Sequence, residues 1–343
     1  MRYLNLLCVL AMCGCHPQFA TVDEACHDHV PGQARDTEEA VDAIYRVNCY
    51  RRVARMARGS TDYRISAAAE AHALYIEANG YSGDFITEEP GQPHFSGATP
   101  LDRAEAQNYD LGDGWDRWLG YWEGVFSRSE DPGEHADVWM ESPYTRQGVL
   151  QPSWKDAGYG VSSSYAVLDI LFDFPASTHI QNPVVYPADG QEDVPTEVLW
   201  WPDDQVVPLD RTVGFPVTVT VGSDMEGSGL YDDNPYGLVL LDSAIEGPDG
   251  EVSHYILIPE STPYSLLFTV ALIPRDPLEP DTTYTVTARL HWNANAAKEV
   301  AATFTTLPAE ASAARRVGPE LIYAVYKPPG LDSRMVLFGD RSP

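Results

Sequence analysis

Positive charge is scarce in this sequence: Lys and Arg total 22 against 51 Asp and Glu, a formal net charge of −29. A nucleic-acid binder needs a basic face that displaces counterions from phosphates, so this balance argues against nucleic acid as a partner. Transmembrane-length apolar runs are missing too. The run from Leu4 to Met12 falls far short of the ~20 residues that span a bilayer. The common catalytic signatures are also absent. There is no His-Glu-x-x-His helix, no Gly-x-Ser-x-Gly elbow, no Walker loop and no dinucleotide Gly-x-Gly-x-x-Gly. The segment Gly160-Val-Ser-Ser-Ser164 lacks the second glycine and lies on a predicted strand, so it is not an elbow.

What is present begins with an export signal. Arg2 followed by a short apolar run fits a signal peptide over residues 1–14 rather than a membrane helix. Gly14-Cys15 at its end resembles a bacterial lipobox, with Cys13 as a weaker alternative. That resemblance implies a diacylated Cys15 as the first mature residue and a protein anchored to the membrane outside the cytoplasm; ordinary secretion is the alternative. Of the five cysteines, Cys8 and Cys13 leave with the signal and Cys15 carries lipid. Cys26 and Cys49 remain, and an even pair in an oxidising compartment suggests a disulfide, against two separate thiols. Residues 15–35 are polar and read as a tether. Within it Cys26-His27-Asp28-His29 has metal-ligand chemistry, although such a cluster on a flexible segment more often coordinates nothing.

With 44% hydrophobic residues the chain is globular, and its 343 residues suit two domains. A helix is expected from Thr37, with Val41, Ile44, Tyr45, Cys49, Val53 and Met56 as its apolar stripe. Arg51, Arg55 and Arg58 lie along another face; pairing with the protein's own carboxylates is favoured over contact with anionic head groups. A second helix runs from about Ser66 to Gly80. Trp115, Trp118, Tyr121 and Trp122 recur at three- and four-residue spacing, a pattern that usually marks core. A further helical segment leads to Trp139 and breaks at Ser142-Pro143. Ala166, Leu168, Ile170 and Phe172 alternate as a strand with one buried face. From 182 to 306 short alternating strands separated by turn residues predict an antiparallel sandwich. There Leu278-Glu-Pro280-Asp-Thr282-Thr-Tyr284 has the form of a tyrosine corner, and the domain reads as Ig-like or fibronectin-III-like. Acidic loops Asp224-Met-Glu226 and Asp232-Asp233-Asn234 lack EF-hand spacing and are read as solvated. Residues 307–343 form a linker and tail with one more candidate strand, Leu321–Tyr326.

Several pieces in order resemble the CAP (SCP/TAPS) family in its bacterial secreted form. They are His72-Ala-Leu-Tyr75, Phe95-Ser-Gly97, Pro100-Leu-Asp-Arg103-Ala104, Trp122-Glu123-Gly-Val125, Trp139-Met-Glu-Ser142-Pro143-Tyr-Thr-Arg146 and Gly158-Tyr-Gly160-Val161. The resemblance covers residues 36–175 and implies an α/β/α sandwich. The expected fold class is therefore α+β, a CAP-type unit followed by an all-β Ig-like unit. Many CAP proteins gather two His and two acidic residues in a cleft, some with a divalent metal. Here Thr145 replaces the box His, and Thr87 stands in the segment where relatives often have another. His72 and Glu123 remain as the candidate cleft residues, for catalysis or metal alike, and His94 and His135 are further histidines that loops could bring in. Three protein ligands are usual for zinc, so tight metal binding at this cleft is disfavoured, His72 and Glu123 stay as weak metal candidates, and no cofactor is expected. His72 on an apolar helix face is itself more often a core residue.

Three readings of function follow. The first is a non-catalytic, lipid-anchored surface or periplasmic module that binds an unknown lipid, peptide or glycan. The second is a divergent hydrolase with His72 as base and Glu123 orienting it. The third is a purely structural or adhesive envelope protein. The missing histidines favour the first and third over an enzyme. On this basis His72→Ala and Glu123→Ala are expected to leave stability and metal content nearly unchanged.

Overall fold

The computed structural model describes residues 19–26, 35–80, 87–112, 119–129, 131–173, 183–200, 206–222, 238–259, 266, 268–292, 297–314, 321–327 and 334–337. The signal segment, Cys15, His27–His29, Trp115, Trp118 and the two acidic loops at 224–226 and 232–234 lie outside these residues.

The first unit contains α1 (Val22–Ala25), α2 (Glu38–Val53), α3 (Tyr63–Asn79), α4 (Pro100–Ala106), β1 (Leu119–Ser127), α5 (Gly133–Trp139), α6 (Pro143–Val149), β2 (Trp154–Val161) and β3 (Tyr165–Asp173). Each helix start has a local cause. Thr37 caps α2 by accepting the Ala40 N–H, and Asp62 caps α3 by accepting the Arg64 N–H, one turn earlier than Ser66 suggested. Thr99 and Asp102 form a capping box at α4. Such caps satisfy N–H groups that a helix leaves without partners. Pro143 ends one helical stretch and opens the next as the first residue of α6.

The aromatic spacing around Tyr121 and Trp122 does not make a helix. Both residues lie on β1, and their rings bury on opposite faces of the sheet. A strand alternates faces at every residue, so neighbours in sequence can serve two cores. On one face Tyr121, Val125, Val167 and Leu171 pack with Ile65, Ala69 and Leu101 of α3 and α4. On the other, Trp122, Phe126, Leu168 and Ile170 pack against α2, α5 and α6. β3 is therefore buried on both faces, not one. Full burial of each large side chain contributes ~1.5–3 kcal/mol, so packing on both faces stabilises the layer.

Gly158 and Gly160 permit the layers to close. A Cβ at these positions would lie 2.1 Å from the Ser66 nitrogen and 2.0 Å from the Glu70 nitrogen. Only a residue without a side chain lets the α3 backbone rest directly on β2.

The second unit has β4 (Val184–Tyr186), β5 (Gln191–Val194), β6 (Glu197–Leu199), β7 (Thr212–Gly214), β8 (Val217–Thr220), β9 (Leu238–Gly247), β10 (Gly250–Glu251), β11 (His254–Leu257), β12 (Thr269–Pro274), β13 (Thr283–Trp292) and β14 (Lys298–Thr306). They form sheets ordered β10-β9-β13-β14-β5 and β11-β12-β8-β4, with β6 and β7 as a small pair. The pairing is antiparallel except that β14 and β5 run parallel. Tyr284, Val286, Ala288, Leu290 and Trp292 are all buried along β13, as their alternation required. The Tyr284 hydroxyl accepts the Glu279 N–H at 2.9 Å, the back-bond expected at the corner.

The tail does more than trail behind. After α7 (Ala309–Ala314), β15 (Leu321–Lys327) pairs antiparallel with β1, and β16 (Arg334–Leu337) pairs with β15. The first sheet thus runs β16-β15-β1-β3-β2. Its edge is supplied from beyond the second unit.

The two units share one apolar core. Arg146 of α6 crosses between them, donating to the Pro216 carbonyl at 2.5 Å with its guanidinium over the Tyr186 and Phe215 rings. The expected pairing of the Arg51, Arg55 and Arg58 row with carboxylates holds for Arg55, 3.8 Å from Asp189. It fails for Arg51, which is buried and donates to the carbonyls of Ala57, Val149 and Gln151. Residues 15–35 are not wholly a tether either: Phe19–Cys26 is seated on the body, and Cys26 is bonded to Cys49.

Candidate functional site

Four elements and one loop bring five ionisable side chains together on the α3 side of the first sheet: His72 from α3, Glu88 from the loop after it, Arg103 from α4, Glu123 from β1 and Asp169 from β3. Each is at most 1% exposed. Cross-strand register places Glu123 directly opposite Asp169, so both carboxyl groups share one face.

The Nδ1 of His72 lies 3.0 Å from Glu88 Oε1, and its Nε2 lies 3.6 Å from Glu123 Oε1. The Arg103 guanidinium bonds Glu123 Oε2, and its Nε is 3.9 Å from Glu88 Oε1. The Glu88 carboxylate also accepts the Ser96 N–H at 2.6 Å, the Ser96 hydroxyl at 3.1 Å and the Gly97 N–H at 3.3 Å. This is what the Phe95-Ser-Gly97 turn does here: it wraps a buried carboxylate. Burial raises the Glu88 carboxyl, but the bond to His72, the Arg103 charge and the Ser96 N–H together hold it below the usual carboxylate range. Asp169 goes the other way. Burial first, then the Glu123 charge, push it well above its ordinary value, and Arg103 opposes this only in part. Neither Asp169 oxygen nor Glu123 Oε1 has a hydrogen-bond donor among the described residues. Two opposed carboxylates without donors are relieved by one proton between them.

The other candidates lie elsewhere. Thr145 is buried and donates to the Trp139 carbonyl at 2.6 Å, with the Ser142 carbonyl at 3.1 Å, so its hydroxyl closes the turn into α6. His94 is exposed in a turn. His135 is buried on the opposite face, with Nε2 3.0 Å from the Ser127 carbonyl and Nδ1 3.0 Å from the Tyr159 hydroxyl. Burial pulls its pKa down, so it is a neutral core histidine that donates to the carbonyl and accepts from Tyr159. The thiol of Cys26 is committed to its disulfide and leaves the Cys26–His29 cluster without a thiolate ligand.

A divalent metal does not fit the cluster. The donorless oxygens of Glu123 and Asp169 would welcome a cation, but the Arg103 guanidinium already stands between Glu88 and Glu123. No group of three or more His, Cys, Asp or Glu with metal-holding geometry occurs among the described residues. What the cluster can do is hold a proton and lock α3, α4 and the 88–97 loop to the sheet. Complete burial also overturns the expectation that His72 and Glu123 are dispensable for stability: removing either leaves a buried polar partner unsatisfied.

Three members of the cluster escaped the sequence reading of the site. Glu88 directly follows Thr87, which stands where relatives often have a histidine. Arg103 was part of the α4 motif with no charge partner assigned. Asp169 carried the one available signal, a carboxylate between Leu168 and Ile170 in an otherwise apolar strand, which calls for a buried partner.

Residues 44–174 match the family model of CAP, the cysteine-rich secretory protein family. The chain therefore carries a CAP domain over that segment, within the 36–175 expected from the motifs. Among solved structures, an extracellular protein containing a SCP domain from Bacillus anthracis str. Ames is similar at 15% identity, over 39% of this chain and 40% of that one, with a TM-score of 0.32. The match thus spans less than half of that protein's length. No curated protein matches the chain significantly.

Proposed function

We propose that this is an exported protein, held at the cell envelope by lipid on Cys15, whose CAP domain works as a non-catalytic binding module. The second domain, read as Ig-like or fibronectin-III-like, is its accessory. The observation that carries the non-catalytic reading is the closed ring of Glu88, His72, Glu123 and Arg103, each 0% exposed. A general base must reach the proton it abstracts, and here Nε2 of His72 faces Glu123 rather than an open cleft. Binding of a lipid, peptide or glycan then falls to the outer surface and not to these residues. The signal segment and Gly14-Cys15 support export and anchoring. Among the described residues no helix is long and apolar enough to cross a membrane.

The test is hydrolysis of ester, peptide and glycoside panels by the purified chain, beside Glu123→Gln. Background rates for both are expected. Turnover by the wild type that vanishes in Glu123→Gln would restore the hydrolase.

A further inference from the structure

Resting on the lipid-anchor reading, we infer that the surface facing the membrane is the seam between the two domains, where Phe19–Cys26 is seated, and that its partner is the phospholipid bilayer that holds the anchor.

The segment nearest the anchor is fixed on three sides. Cys26 is bonded to Cys49 of α2. The Arg52 guanidinium lies 4.6 Å over the Phe19 ring and donates to the Ala25 carbonyl. From the second domain, Asp193 accepts the Val22 N–H at 2.8 Å, and the Glu192 N–H donates to the Ala20 carbonyl at 2.7 Å. Val22 and Ala25 are buried. The described chain therefore begins, at Phe19, at a point that touches both units.

Chain length does the rest. Four residue steps join Cys15 to Phe19, a reach of about 14 Å when fully extended. Acyl chains in the hydrocarbon place Cys15 at head-group level, a layer of about 5–7 Å per leaflet. Too little length remains to lift the seam clear of the bilayer by the width of a domain. Both domains then rest at one level, rather than the CAP domain near the membrane with the second domain beyond it. The layer of α3 and α4 lies across the first sheet from α2, so it faces away from the membrane with the Glu89–Phe95 turn. With a net charge of −29, the protein as a whole is repelled by anionic lipid. Contact depends on the anchor.

The test uses the full chain, made in a host that lipidates exported cysteines and reconstituted in phosphatidylcholine vesicles carrying an acceptor dye on phosphatidylethanolamine. A donor-bearing unnatural residue replaces Glu192 at the seam or Glu105 on α4, both exposed. Transfer is expected to be about twofold stronger from position 192, because a helix layer and a sheet of ~20 Å separate the two sites. Inserting a flexible Gly/Ser segment of ~20 residues between Gln18 and Phe19 should abolish the difference. A lipidated chain with equal transfer from both positions overturns the orientation alone. An N-terminal peptide without diacylglycerol mass overturns the anchor, and the orientation with it.

Discussion

Asp169 shows how one buried side chain makes stability depend on pH. Its folded-state value lies well above the ordinary carboxylate range, through burial and then the Glu123 charge. Between the unfolded and folded values the native state binds more protons than the unfolded chain. Stability is therefore full below the unfolded value, about 3.9, and is lost as pH rises through the folded one. Asparagine is isosteric, cannot ionise and offers an N–H donor to Glu123 Oε1, which has none among the described residues. Asp169→Asn should stabilise the protein at neutral pH by about 1–3 kcal/mol and remove this contribution to the pH slope. Denaturant melts at several pH values would show it. A variant less stable than the wild type at neutral pH would mean that Asp169 is ionised and bound by a donor.

At the level of elements, the CAP layer rests on how closely α3 approaches β2. A Cβ on Gly158 or Gly160 would stand about 2 Å from α3 backbone nitrogens, and backbone cannot step aside as a flexible side chain can. Gly158→Ala and Gly160→Ala should each cost about 1–3 kcal/mol or more, read as a drop in the thermal midpoint. Unchanged melting in either variant would show that α3 can ride up without loss. This Gly-Tyr-Gly spacing entered only through the family resemblance, whereas α2, the end of α3 at Gly80, β3 and the Tyr284 corner were legible in the sequence because each has a local cause in caps, turns or alternation. β1 was not legible. The spacing of Tyr121 and Trp122 with two earlier tryptophans imitates a helix, and only the sheet reveals that the two rings serve different cores. The pairing of β15 with β1 was also out of reach, since it joins residues about 200 apart in sequence and no local signal encodes a register of that range. The site divides in the same way. His72 and Glu123 could be named from motifs, but the ring they form depends on a loop carboxylate, Glu88, whose burial is a tertiary fact.

For the whole molecule, the question is what makes the two units behave as one. Arg146 belongs to a CAP motif yet reaches the second domain: its Nη1 donates to the Pro216 carbonyl, its Nε to the Met140 carbonyl at 2.9 Å, and its plane lies 4.9 Å from the Tyr186 ring and 4.7 Å from the Phe215 ring. Burial pushes its pKa down to about 10, so the guanidinium remains charged at neutral pH. A planar fork is required, because one group must satisfy carbonyls from both domains while stacking between rings. Lysine keeps the charge but has neither the fork nor the flat face. Arg146→Lys should therefore leave one carbonyl unsatisfied, at about 1–3 kcal/mol, and weaken the seam more than either domain's own core. Calorimetry is expected to turn one cooperative transition into two, with the lower one moving when the Cys26–Cys49 bridge is reduced, since that bridge fixes α1 to α2 and α1 in turn bonds Asp193 across the seam. A single transition at the wild-type temperature would show that the shared apolar core couples the domains without Arg146.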